Sequence, residues 1–182
     1  MKKEEKVILV NQKNEQIGLM NKMEAHEKAV LHRAFSVFVF NDKKELLLQQ
    51  RAKHKYHSPN EWTNTCCSHQ RNGETNLEAG KRRLMEEMGF ECDLKDVFSF
   101  IYKAPFANGL TEHELDHVMI GHYNEDPEIN KEEVGDFCWM SLEDIENDIK
   151  QQSTKYTAWF KIIFKEYLSQ IDISSNKKST CQ

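Results

Sequence analysis

Apolar positions in this chain come mainly in short runs separated by polar turns, a spacing that predicts strands more often than long helices. Val7 to Val10 reads as a strand, Asn11 to Glu15 as its turn and Ile17 to Leu19 as a return, which makes an N-terminal hairpin. Met23 to Leu31 suits a short helix or an irregular loop that carries His26 and leads to His32. Phe35 to Phe40 is strongly β-prone, Asn41-Asp42 supplies turn chemistry, and Leu46 to Gln50 is the second arm of another hairpin. Arg51 to Asn60 is polar and basic, has no periodicity and contains Pro59, so it reads as a surface loop.

The pattern changes at Thr75. Glu78 follows three residues later, so each side chain can satisfy a free N–H of a first helical turn. Leu77, Leu84 and Met88, with a bare patch at Gly80, then share one face at helical spacing, and Gly89 ends the helix as its C-terminal cap. Val97 to Tyr102 is a further strand, Pro105 to Gly109 breaks the pattern, and Glu112 to Tyr123 and Val134 to Met140 are two more strands. Ser141 with Asp144 resembles a second capping box before a helix to about Ile149, and the amphipathic stretch from Thr154 to Ile171 predicts a C-terminal helix. Strands around a few helices indicate an α+β domain.

Composition narrows the classes. A length of 182 residues with 38% hydrophobic content suits a single domain, taken as 1–171, followed by a polar tail over 172–182. A net charge of -5 argues against a non-specific nucleic-acid partner, yet leaves room for a local basic pocket that takes a small anion. There is no run of 18 apolar residues and Met1 to Glu5 is too charged for a signal peptide, so the expectation is a cytoplasmic enzyme with no membrane partner. A largely polar surface leans to a monomer. Five cysteines, an odd number with Cys66 and Cys67 adjacent, read as free thiols in a reducing compartment.

From Ser68 onward the central segment resembles the Nudix box. Glu74, Arg82, Leu84, Glu86, Glu87, Gly89 and Phe90 fall on that pattern in register. Ser68 stands where the first Gly belongs, and Arg83 replaces a Glu that Nudix hydrolases use to hold Mg²⁺. A degenerate box with Cys67-Ser68-His69 just upstream is similar to the type I isopentenyl-diphosphate isomerases, a branch of the Nudix fold that moves a double bond and hydrolyses nothing. The resemblance extends over nearly the whole chain and implies a Nudix-like mixed β-sheet sandwich flanked by helices.

Site residues follow from the same resemblance. His26, His32, His69, Glu112 and Glu114 match the family's divalent-metal ligands, a mixed nitrogen and oxygen set that suits Zn²⁺ or Mn²⁺, or Mg²⁺, and is poor for Ca²⁺. Taken singly, each histidine is more often a surface or core residue than a ligand; only Glu112 and Glu114 carry spacing of their own, since residues two apart on a strand share a face. Glu87 matches a carboxylate linked to a second cation, Mg²⁺, which also contacts the substrate diphosphate; the plain alternative is an exposed ion pair with Arg83. Lys22, Arg51, Lys55 and Arg83 match positions that hold the diphosphate. Cys67 and Glu114 match the residues that exchange protons with the substrate carbons, Trp159 the aromatic face beside the carbocation, and Tyr102 a hydroxyl beside the carboxylate. Flavin is not implied. For Cys66 and Glu86 the plain readings hold, a buried small hydrophobe and an ion-pair partner of Arg82.

Overall fold

The computed structural model describes residues 5–171. The proposed polar tail, Cys181 and the first four residues lie outside that range. Nine strands form one hydrogen-bonded network. Its spine is β3 (His32–Phe40), which runs parallel to β8 (Thr111–His122) with His32 opposite Glu114 and Phe40 opposite His122. On the far side of β8 lies antiparallel β7 (Leu94–Pro105), with Tyr102 opposite Glu114. The other edge of β3 pairs with β6 (Cys66–Ser68), Ser36 facing Cys67. The hairpin of β1 (Lys6–Val10) and β2 (Gln16–Asn21) joins at the start of β3, while β4 (Leu46–Arg51) pairs with β5 (Trp62–Thr63) and β9 (Val134–Met140).

Strand β3 is buried from Ala34 to Phe40 because helices cover both of its faces. Phe35, Val37 and Val39 meet α2 (Asn76–Met88) through Ala79, Leu84 and Met88. Phe38 and Phe40 face the other way, toward Ile145 of α3 (Leu142–Gln151) and Trp159 and Phe160 of α4 (Ala158–Ile162). The result is the expected sheet between helices.

Local sequence explains most boundaries. At α2 the capping box forms as expected, with Thr75 Oγ1 accepting from the Glu78 N–H and Glu78 accepting from the Thr75 N–H. Leu77 departs from its expected place: it is 40% exposed, and Ala79 and Gly80 are buried in its stead. The helix rests on its glycine, since a Cβ at Gly80 would lie 2.8 Å from both Leu94 and Met119 side chains. Strands β7 and β8 are longer than their apolar runs, extended by pairing with each other. The C-terminal helix is broken into a 3₁₀ turn over Ser153–Lys155, α4, a π turn over Ile163–Tyr167 and a final 3₁₀ turn. Tertiary anchors override propensity there. Thr157 N–H donates to Trp62 O at 3.0 Å, and the Thr157 hydroxyl meets the Thr63 hydroxyl at 2.9 Å.

Gly89 caps α2 in the left-handed region at φ 73°, and a Cβ there would lie 2.5 Å from the Glu128 carbonyl oxygen. Gly73 is also left-handed but has open space around it. Gly89→Ala is therefore expected to lower stability by roughly 2 kcal/mol or more, and Gly73→Ala by about 1 kcal/mol. Equal shifts in the urea midpoints would contradict the close approach to Glu128.

Candidate functional site

Three histidines reach one point from three separate elements. His26 lies in α1 (Lys22–Glu27), whose N-terminus is capped by Asn21 accepting the Met23 N–H at 3.0 Å. His32 opens β3, and His69 follows β6. His26 Nδ1 donates to the Lys22 carbonyl at 2.6 Å and His32 Nδ1 to the Val30 carbonyl at 2.8 Å. A carbonyl only accepts, so each ring carries a proton on Nδ1, which leaves Nε2 as the nitrogen whose lone pair can take a cation. Those two Nε2 atoms are buried with no hydrogen-bond partner among the described residues. Ring centroids of His26 and His32 are 4.9 Å apart, and those of His32 and His69 are 5.1 Å apart.

Carboxylates close the cluster. Glu112 and Glu114 project from one face of β8, as their spacing predicts. Glu114 Oε1 lies 2.9 Å from His69 Nε2 and 3.5 Å from His32 Nε2. Ligand atoms of His26, His32, His69 and Glu114 all fall within 4.8 Å of one another. Glu112 belongs to an adjoining group with His26 and His57. The Tyr102 hydroxyl, on the neighbouring strand, lies 2.8 Å from Glu112 and 2.6 Å from Glu114. Orphaned imidazole lone pairs beside buried carboxylates fit a divalent cation of borderline softness, and backbone carbonyls on the far ring nitrogens fix those ligands in place.

Burial sets the protonation of this cluster. It pushes His69 down to about 4 and lowers His26. Burial alone would raise Glu114, but contacts to His32 and His69 outweigh it and hold the carboxyl well below its ordinary range. Burial, reinforced by the charge of Glu114, raises Glu112 well above that range. A protonated Glu112 can donate to the Tyr102 oxygen while the phenol donates to Glu114, so each of the two short contacts has a proton.

A cavity of about 460 Å³ opens beside the cluster and is lined by Glu112, Glu114, Cys67, Trp159 and the four expected diphosphate cations. Antiparallel pairing of β6 with β3 turns Cys66 into the core under α2 and leaves Cys67 on the cavity side. Burial pushes the Cys67 thiol up to about 12, with the charge of Arg51 pulling the other way. Trp159 is held by its Nε1–H, which donates to Asn64 Oδ1 at 3.2 Å, and its ring carries the Arg51 guanidinium at 5.4 Å. Asn64 also donates to the Val37 and Cys66 carbonyls, tying Trp159 to the cysteine strand.

The other three cations each meet a carboxylate. Lys22 pairs with Glu5 at 3.0 Å, Lys55 with Glu133, and Arg83 with Glu86, Glu87 and Glu133. Glu87 is buried, so the alternative of an exposed ion pair does not hold; its other oxygen accepts from Gln49 at 2.8 Å. Glu86 is an ion-pair partner of both Arg82 and Arg83, as its plain reading has it. Arg82 forks onto Glu74 at 2.7 and 2.8 Å and reaches the His69 carbonyl at 3.4 Å, so the box helix holds a cluster histidine through its backbone.

Sequence reasoning missed His57, Asn64 and Glu133. His57 and Arg51 lie in the stretch read as a surface loop, yet both are buried. The chain turns inward there through Ser58 and Asn60, which have φ values of 46° and 61°. Basic composition hid it, and only the density of aromatic and histidine residues around Tyr56 and His57 hinted at it.

The neutral state of His69 has a signed consequence. Its folded pKa, about 4, lies below the ordinary 6.5, so the stability it contributes is full above 6.5 and is lost as pH falls toward 4. Imidazole NMR of the metal-free protein is expected to show His69 neutral at pH 6 with a midpoint near 4; a midpoint at 6.5 or above would contradict the burial argument.

Comparison with known proteins agrees with this geometry. The family model described as NUDIX domain matches residues 30–160. Isopentenyl-diphosphate Delta-isomerase 2 of Photorhabdus laumondii is 49% identical over 88% of this chain and 90% of its own. Isopentenyl-diphosphate Delta-isomerase 2 of Aromatoleum aromaticum is 45% identical over 86% of this chain and 82% of its own. Among solved structures, the Deinococcus radiodurans protein DR0079 covers 90% of this chain and 99% of its own at a TM-score of 0.73 and 21% identity, a likeness of fold. With a buried imidazole and carboxylate cluster on a Nudix sheet and relatives this similar over most of both chains, the chain belongs to the isopentenyl-diphosphate Delta-isomerase family of Nudix proteins.

Proposed function

We propose that this protein interconverts isopentenyl diphosphate and dimethylallyl diphosphate by adding a proton at one carbon and removing one two carbons away. The observation that carries the reading is that a half-buried thiol, a metal-type cluster and a set of basic side chains open on one cavity. His26, His32, His69, Glu112 and Glu114 would hold Zn²⁺ or Mn²⁺, or Mg²⁺, which supplies a fixed positive charge that tunes the carboxylates. Glu87 keeps lone pairs beyond those used by Arg83 and Gln49, so it would share Mg²⁺ with the diphosphate oxygens. The enzyme on this reading is cytoplasmic and monomeric, taking a small substrate.

Each side chain then has a task. Lys22, Arg51, Lys55 and Arg83 bind the unreacting diphosphate, and that binding energy holds the hydrocarbon end still. Arg presents a fork to phosphate oxygens, while Lys acts as a point charge. Cys67 and Glu114 are the proton-exchanging pair. Burial keeps the thiol protonated while its histidine partners keep Glu114 ionised, so the pair starts with one transferable proton. The tertiary cation formed between the two transfers faces Trp159, whose ring stabilises a desolvated cation by about 2 kcal/mol. Tyr102 orients Glu114 through its hydroxyl. Hydrolysis is the weaker reading, because Arg83 replaces one carboxylate of the box and pairs with Glu86 and Glu87, two of the three that remain, while Arg82 pairs with the third, Glu74.

Cys67→Ala is expected to fold, keep its metal and lose isomerisation by at least 10³-fold, an order-of-magnitude expectation for removal of a proton-transfer group. Proton NMR of isopentenyl diphosphate in D₂O reads turnover and deuterium uptake together; turnover at the parental rate would reject the thiol's role. Arg83→Gln removes one charged hydrogen-bonding fork, so KM is expected to rise about 10- to 100-fold. A change confined to kcat would contradict its role in binding the diphosphate.

A further inference from the structure

His57 has no part in the scheme above, yet it is one of the most constrained side chains around the cavity. It is 5% exposed. Its ring stacks on Phe106 with centroids 4.8 Å apart and planes at 17°, and meets Trp159 edge-on at 5.9 Å. Its carbonyl accepts from Arg51 at 3.2 Å. The Nε2 atom lies 3.3 Å from Glu112 Oε1, while the Tyr102 hydroxyl occupies the other oxygen of the same carboxylate. Glu112 is thus bracketed, one neighbour to each oxygen. Glu114 is held more tightly, by hydrogen bonds from His69 at 2.9 Å to Oε1 and from Tyr102 at 2.6 Å to Oε2.

Resting on the metal-dependent reading of this site, we propose that His57 is a positioning residue for the metal centre, fixing the rotation of the Glu112 carboxylate while its ring braces Trp159. Without a group at Nε2, Oε1 of Glu112 is free to turn about its last torsion and the carboxylate no longer faces the imidazole cluster. Supporting partners of this kind carry about 10- to 100-fold of metal affinity. The stacking surface and the donor are separable, which makes the assignment testable. Phenylalanine keeps a flat ring against Phe106 and loses the donor, whereas glutamine places an amide N–H near the position of Nε2 and loses the ring.

The experiment is a Co²⁺ titration of His57→Phe and His57→Gln in the full chain, following the visible absorption of the bound ion, with melting curves as the control for folding. His57→Phe is expected to bind Co²⁺ about 10- to 100-fold more weakly with an unchanged spectrum. His57→Gln is expected to recover most of that affinity. Equal affinity in the parent and His57→Phe would overturn the proposal. So would a changed spectrum in His57→Gln, which would make the imidazole a ligand itself. The titration needs no turnover, so a parent that binds Co²⁺ but does not isomerise would reject the function while leaving the role of His57 measurable.

Discussion

Three imidazoles and two carboxylates, each less than a tenth exposed, are held together in the interior of this fold. Burying ionisable groups costs free energy unless opposite charge and hydrogen bonds compensate. Much of the surrounding structure reads as that compensation. Backbone carbonyls take the Nδ1 protons of His26 and His32, the Tyr102 hydroxyl serves both glutamates, and Arg82 holds the His69 backbone. What remains is a set of inward-facing lone pairs, and a divalent cation is the chemical species that answers it.

The sheet makes the cluster possible. Parallel pairing of β3 with β8 puts His32 beside Glu114, and antiparallel pairing of β7 with β8 puts Tyr102 on the other side of the same residue. A one-residue slip of β8 against β3 would turn Glu112 and Glu114 to the opposite face, and a slip of β7 against β8 would do the same to Tyr102. Register is protected by the core itself, because Phe38 and Phe40 pack on one helix layer while Phe35, Val37 and Val39 pack on the other. Helix α2 contributes differently. On it Arg83 stands where the Nudix pattern has a carboxylate, pairs with Glu86 and Glu87, and lines the cavity, so this helix offers a cation there.

Local devices were legible in the sequence and long-range ones were not. Thr75 with Glu78, Gly89, the β-prone run from Phe35 to Phe40 and the two-residue spacing of Glu112 and Glu114 depend on neighbours in the chain, and each forms as read. Pattern alone gave no reason to join His26, His32 and His69; their grouping came from resemblance to a family, and the geometry brings them within reach of one ion. Leu77 misled because helical spacing identifies a stripe without its edges, and the true contact is centred on Ala79, Gly80 and Leu84. The C-terminal helix misled because Thr157 is tied to Trp62 and Thr63 across a separation of about 94 residues, which no window of periodicity spans. His57 was invisible for the same reason, since its partners Glu112, Phe106 and Trp159 are distant in sequence.

The account stands on the claim that the buried cluster holds a metal on which the chemistry depends. The most direct test is to strip the protein with a chelator, confirm by circular dichroism that it remains folded, and titrate Mn²⁺ back in excess Mg²⁺ while measuring isomerisation of isopentenyl diphosphate. The account predicts negligible turnover in the stripped protein and recovery that saturates near one equivalent of Mn²⁺. Full turnover by the folded, metal-stripped protein in Mg²⁺ alone, with no Mg²⁺ held at the cluster, would contradict it.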